Sequence, residues 1–327
     1  MQLRNEARDW SRETFGGAEL GDRRRVDRLV RIAMLSAMHP SGKVSEVFVE
    51  DADRQGAYDF IASPQVRSAA ITKAMGCSTA ARCADEARVY VSIDGSSVTL
   101  TDRGGEKDFG AVGDYVHGAR GLKVISALAM NTQQGVPIGL LAQTWWKRPT
   151  RKSRRKPSAK RARSVAQKET QRWLDTFDAA RATLREGAPD TRACFVVDRE
   201  GDSAAMLLSL ASPANDFIVR ANWDRQLRAP KGQRQLLRRV LGYQPLLGAY
   251  ALDIAAGPGR SARTGHIEVR AKRVELVLKD PWTGERRVLE VSAVWAREIG
   301  TAPKGETPVD WLLYTNLNAC RRVSRSA

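Results

Sequence analysis

The stretch Ala193-Cys194-Phe195-Val196-Val197-Asp198 decides the fold. It is a short, continuous apolar run of the kind that fills a central strand, and it stops on a carboxylate. Val89-Tyr90-Val91-Ser92-Ile93 repeats the pattern and stops on Asp94. Outward from these two runs, Leu122–Met130 and Pro137–Trp145 read as apolar strands joined by the turn residues Asn131 to Gly135, hence a hairpin. Residues 164–185 read as a helix that packs Trp173, Leu174, Phe177 and Ala180 on one face. A helix is expected over 203–210 and a strand over 216–220. Residues 227–297 alternate and are Gly-rich, with strand candidates at 248–254, 267–270, 273–278 and 288–294. Trp311-Leu312-Leu313-Tyr314 returns to a buried strand. This order of elements predicts an α/β fold: a mixed sheet with helices packed on it and a mostly β insertion.

Before the first strand the chain reads as helical. Val26, Leu29, Val30, Ala33, Met34 and Ala37 recur at helical spacing after Asp22, a candidate N-cap, and Pro40 stops the helix. Arg24, Arg28 and Arg31 share another face of it, suited to lying along DNA or simply to solvation. A second helical pattern, 53–62, is expected to turn Tyr58, Phe60 and Ile61 inward. A third covers 68–86.

Charge sets the class of partner. The chain has 327 residues and a formal charge of +17, with a pI of about 10.2, so a polyanion is the expected partner. Residues 147–163, KRPTRKSRRKPSAKRAR, hold ten Lys/Arg and no acid. This stretch reads as an exposed basic loop that binds phosphate, with Lys147, Arg148, Arg151, Lys152, Arg154, Arg155 and Lys156 as contacts. No apolar run approaches the ~20 residues that cross a bilayer, and no signal-peptide core opens the chain, so a cytoplasmic protein is expected. The four cysteines and three histidines are too scattered for a structural zinc site. No G-x-S-x-G, phosphate-binding G-x-x-x-x-G-K-[ST] or H-E-x-x-H motif occurs.

Asp94 and Asp198 are therefore the candidate catalytic and metal-binding residues. On neighbouring central strands their hard oxygens would suit Mg²⁺ or Mn²⁺ and in-line phosphoryl transfer. The competing reading is that each carboxylate caps the turn that follows it.

Taken together, LGDRRRVDRLV at 20–30, GAYDFI at 56–61, SIDGSSVTL at 92–100, WWKRP at 145–149, KETQRWL at 168–174, VVDREGDS at 196–203, FIVR at 217–220 and PKGETPVDWLLYT at 303–315 carry a family likeness. The chain resembles the bacterial DDE transposases of the insertion-sequence-four family over nearly its whole length. The resemblance implies a helical DNA-binding domain at 1–70 and an RNase H-like catalytic core at 71–220. It further implies a β-rich insertion at 221–300 and a last core strand with its tail at 301–327. It implies cut-and-paste transposition, with Asp94 and Asp198 holding Mg²⁺ or Mn²⁺ at transposon ends. Arg199 completes a D-R-E triplet with Asp198 and Glu200. Arg220 matches an arginine on the transposon end, and Trp311 matches a tryptophan that stacks on a flipped base. Asn222 stands where some relatives carry a basic residue.

The family's third acid lies in a Y-x2-R-x3-E-x6-K signature. None of the six tyrosines here is followed three residues on by arginine, and after Thr315 the text reads NLNACRRVSRSA. The expectation is a truncated transposase that binds DNA, alone as a homodimer or paired with a full-length copy, and has lost its third acid. Glu298 and Glu306 are weak substitutes, read as loop residues. The alternative is a non-enzymatic regulator or inhibitor of transposition.

Overall fold

The computed structural model describes residues 2–102, 106–113, 118–150, 164–230, 233, 235–300 and 302–319. The chain divides into two compact units. The first comprises Met1–Tyr90, Ser126–Trp145 and Thr176–Thr191, and the second Val91–Ile125, Trp146–Asp175 and Arg192–Ala327.

In the first unit five helices lead the chain: α1 (Gln2–Phe15), α2 (Arg23–Met38), α3 (Val44–Val47), α4 (Asp51–Ala62) and α5 (Ser68–Cys83). Asp22 caps α2 as expected, its carboxylate accepting the backbone N–H of Arg24 at 2.8 Å. Val26 and Leu29 of α2 join Ala18, Leu20, Phe60 and Ala74 in one buried cluster. Val47, Phe48 and Ala57 form a second. The expected face of α4 needs correction: Phe60 is buried, but Tyr58 is 51% and Ile61 68% exposed. The small Ala57, three residues before Phe60, is the other side chain that α4 buries.

The same unit holds β4 (Pro137–Trp146, up to Trp145) with the end of β3 (Arg120–Asn131). The hairpin is closed as the sequence predicts: Asn131 Oδ1 accepts the N–H groups of Gln134 and Val136, and Gly135 takes φ +68°. Helix α5 lies so close to β4 that a Cβ on Gly76 would overlap the Leu141 carbonyl. The C-terminal part of α6 (Thr170–Gly187) completes the unit, and Phe177 and Ala180 on it are fully buried.

The second unit is organised by a sheet. The remaining strands are β1 (Arg88–Thr99), β2 (Gly110–Ala111), β5 (Arg192–Val197), β6 (Asp216–Arg220), β7 (Gln226–Leu227), β8 (Gln235–Leu236), β9 (Gly248–Ile254), β10 (Arg263–Lys279), β11 (Arg286–Ile299) and β12 (Asp310–Thr315). Their order is β2-β3-β1-β5-β6-β12-β11-β10-β7-β8, with β4 beside β3 and β9 beside β10. β5 and β6 run parallel; β6–β12, β12–β11 and β11–β10 are antiparallel. The sheet is thus mixed, as expected. Phe195 and Val197, Phe217 and Val219, and Leu312 and Tyr314 alternate onto one buried face. Ala205, Met206, Leu207 and Leu210 of α7 (Ala204–Leu210) are buried as well, and α7 packs on β6. Each large side chain so buried contributes about 1.5–3 kcal/mol.

Two features of the β-rich segment differ from expectation. Residues 267–270 and 273–278 belong to the single strand β10, and a short helix, α8 (Leu237–Gly242), precedes β9. Through β11 and β12 the segment hydrogen-bonds into the sheet that contains β5 and β6. No helix among the described residues is long and apolar enough to cross a membrane.

Candidate functional site

Of the three arginines predicted to line α2, only Arg24 stands plainly open to solvent. Arg31 donates Nε and Nη2 to the two carboxylate oxygens of Asp53 on α4, at 3.1 and 2.7 Å. Nη1 of Arg28 lies 3.9 Å from the same carboxylate. The Arg31 hydrogen bonds hold the Asp53 carboxyl below the ordinary aspartate value, against the effect of burial. Asp53 went unnoticed in the sequence, although an acid in the first turn of a helix facing an arginine helix is a readable signal.

Asp198 stands at the end of β5, as predicted. Its Oδ1 accepts the N–H of Glu200 at 2.9 Å and caps the 3₁₀ turn Arg199–Gly201. Asp94 differs from expectation because β1 runs on to Thr99, so this aspartate lies within the strand. It is exposed, and Oδ1 accepts the N–H of Gly95 at 2.7 Å. β1 and β5 are neighbours in the sheet, as anticipated. Each aspartate thus makes a local backbone contact through Oδ1.

Next to β1 a polar cavity of about 560 Å³ is lined by Ser97, Lys123, Arg148, Trp173, Glu200 and Ser203, among others. Arg148 spends its fork on Glu169, with both hydrogen bonds at 2.6 Å, and Lys147 pairs with Asp108. Arg151, Lys152, Arg154, Arg155 and Lys156, the heart of the basic stretch, lie outside the described residues.

Strand alternation places Arg220, Leu313 and Trp311 on one face, since Leu313 pairs with Arg220 and Trp311 lies two residues away. Trp311 is half-buried and pairs with Ala296 of β11. Arg220 is also half-buried, and its Nε is a buried donor with no partner among the described residues. Burial, followed by the like charge of Arg199, pushes its guanidinium below the ordinary arginine value, while Asp198 and Asp310 pull the other way. An orphaned arginine donor in a polar setting is an acceptor site in waiting. Arg199 itself is exposed.

Asp202, also unnoticed in the sequence, fixes this corner. Its fully buried carboxylate accepts the N–H groups of Asn222 at 2.8 Å and Trp223 at 3.3 Å, and Nη2 of Arg225 at 2.5 Å. The loop after β6 is thereby tied to the turn that carries Arg199 and Glu200. Asn222 joins this corner through its backbone N–H, and its side chain is exposed.

Glu298 and Glu306 are committed elsewhere. Glu298 lies in β11 rather than in a loop, accepts both Nε and Nη2 of Arg263 and the N–H of Val309, and is 6% exposed. Glu306 binds Ser261 and Nη1 of Arg263. Among the described residues no group of three acid, histidine or cysteine side chains is arranged to hold a metal ion. The carboxylates of Asp94 and Asp198 are the right donor type for Mg²⁺ or Mn²⁺, but two of them fall short of a three-acid set.

Residues 7–66, spanning most of α1 through the end of α4, match the protein family described as Transposase DNA-binding. This match supports a transposase-like, DNA-binding role for the chain.

Proposed function

We propose that the chain is a DDE-type transposase of the insertion-sequence-four kind that binds the ends of its transposon and, as this polypeptide, does not cut them. The match of residues 7–66 carries the DNA-binding half of the reading. The strand order β4-β3-β1-β5-β6, with β6 parallel to β5, is compatible with an RNase H-like core and supports the other half. Asp94 lies in β1 and Asp198 directly follows β5, the neighbouring strand, and Arg220 and Trp311 share one face. Arg220 would bring a half-desolvated guanidinium to a phosphate, and the half-buried Trp311 would offer a stacking surface to an unpaired base.

A divalent cation would supply charge neutralisation at the scissile phosphate, and Asp94 and Asp198 would be its protein ligands. With Glu298 and Glu306 held by Arg263, neither is free to serve as the third acid. The test uses an end-labelled duplex drawn from the DNA flanking the chain's own coding sequence, with Mg²⁺ or Mn²⁺ present. A stable complex and intact DNA are expected; metal-dependent, end-specific cleavage would overturn the reading.

The commitment of both glutamates to Arg263 also favours a second reading, that of a regulator. Such a chain would occupy transposon ends and lower transposition by an active enzyme supplied in trans.

A further inference from the structure

Two arginines of α2 and one aspartate of α4 form a small electrostatic unit inside the DNA-binding segment. Arg31 grips Asp53 through a two-pronged hydrogen-bonded pair at 3.1 and 2.7 Å, and Nη1 of Arg28 stands 3.9 Å from the same carboxylate. Asp53 is 15% exposed, whereas Arg28 and Arg31 keep 40% and 38% of their side chains open. The Arg28 guanidinium lies across Gly56, one turn along α4 from Asp53, where any Cβ would overlap it.

A fork-shaped pair of this kind is the geometry in which arginine also binds a phosphate diester. The Asp53 carboxylate therefore occupies two donors of Arg31 that a DNA backbone would otherwise use, and its charge holds the Arg28 guanidinium nearby at ion-pair distance. Other cations of α2 are placed differently: Arg23 pairs with Asp27, Nη1 of Arg25 donates to the Leu20 carbonyl, and Arg24 is exposed. Phosphate contacts dominate binding to random DNA, whereas a cognate site adds base and shape contacts. An internal acid that competes for two arginines thus weakens the random complex in greater proportion than the cognate one.

We propose that Asp53 is an internal phosphate mimic that sets DNA specificity by holding Arg28 and Arg31 back from non-cognate backbone. The inference rests on the reading of residues 7–66 as the DNA-binding segment.

The test measures binding of the full chain to a random-sequence duplex by fluorescence anisotropy between 50 and 200 mM salt. Asp53→Asn keeps the shape and removes the charge. It should tighten binding at the low-salt end by about tenfold and steepen the log–log salt slope by about 0.9 for each arginine released. Asp53→Glu restores the charge and should return the slope toward that of the parent chain. Gly56→Ala is the independent variant: its methyl group must displace the Arg28 guanidinium while suiting a helix interior. It should tighten random-DNA binding by a smaller factor, and it decides the matter if Asp53→Asn does not fold. A folded Asp53→Asn or Gly56→Ala chain that binds random DNA no more tightly than the parent would reduce Asp53 to a helix-to-helix tie and overturn the proposal. Failure of the parent chain itself to bind any duplex at 50 mM salt would instead remove the DNA-binding reading, and the proposal with it.

Discussion

Single side chains decide how much of the surface charge of this chain is free to act. Arg31 and, at longer range, Arg28 are turned toward Asp53, Arg148 is held by Glu169, and Lys147 by Asp108. Each was legible as a basic residue, but a partner 21 to 39 residues away in sequence is not written in local pattern. Asp202 is the clearest case. In sequence it is one acid among three in DREGD, yet in space it is buried and holds the backbone at 222 and 223 together with Arg225. Removing one member of a buried pair leaves the other desolvated and uncompensated. Asp202→Ala is therefore expected to cost roughly 3–5 kcal/mol, measured by urea unfolding. A loss under about 1 kcal/mol would mean that Asp202 does not anchor the corner beside Arg199 and Arg220.

At the scale of elements, strong periodicity was readable and facing was not. Helix α2 was legible from its apolar spacing and its aspartate cap. In α4 the adjacent Phe60 and Ile61 with nearby Tyr58 all looked like core, but a helix turns 100° per residue and only Phe60 of the three faces inward. Arg270, Lys272 and Arg273 interrupt the apolar residues of β10 and divide its pattern in two, but a strand with one open face carries such charges without ending. The six-residue helix α8 is too short to imprint a period. Approach distances are equally invisible in sequence. Gly76 permits α5 to reach the Leu141 carbonyl, with the Thr183 methyl 3.4 Å from where a Cβ would stand. Gly76→Leu is expected to destabilise by about 1–3 kcal/mol through overpacking, with Cys77→Ala beside it, at an exposed position, changing stability by under about 0.5 kcal/mol. Equal unfolding midpoints for the two variants would show that α5 and β4 tolerate separation.

For the molecule as a whole, the mixed sheet and the adjacency of the strands bearing Asp94 and Asp198 followed from two apolar runs that each lead to an aspartate. The continuity of the β-rich segment with that sheet did not, because strand pairing between distant segments leaves no local mark. The charge of +17 and the match of residues 7–66 point to the same partner, DNA. Net charge alone would attract any duplex, whereas the transposase proposed above would prefer the ends of its own transposon. The most direct test compares affinity of the full chain for duplexes from the flanks of its coding sequence with affinity for shuffled duplexes of equal length. Measured at about 150 mM salt, the preference should reach 10³-fold or more on one flank, within the range of specific DNA-binding proteins. Equal affinity for flanking and shuffled DNA would contradict the account and leave a basic protein without end recognition.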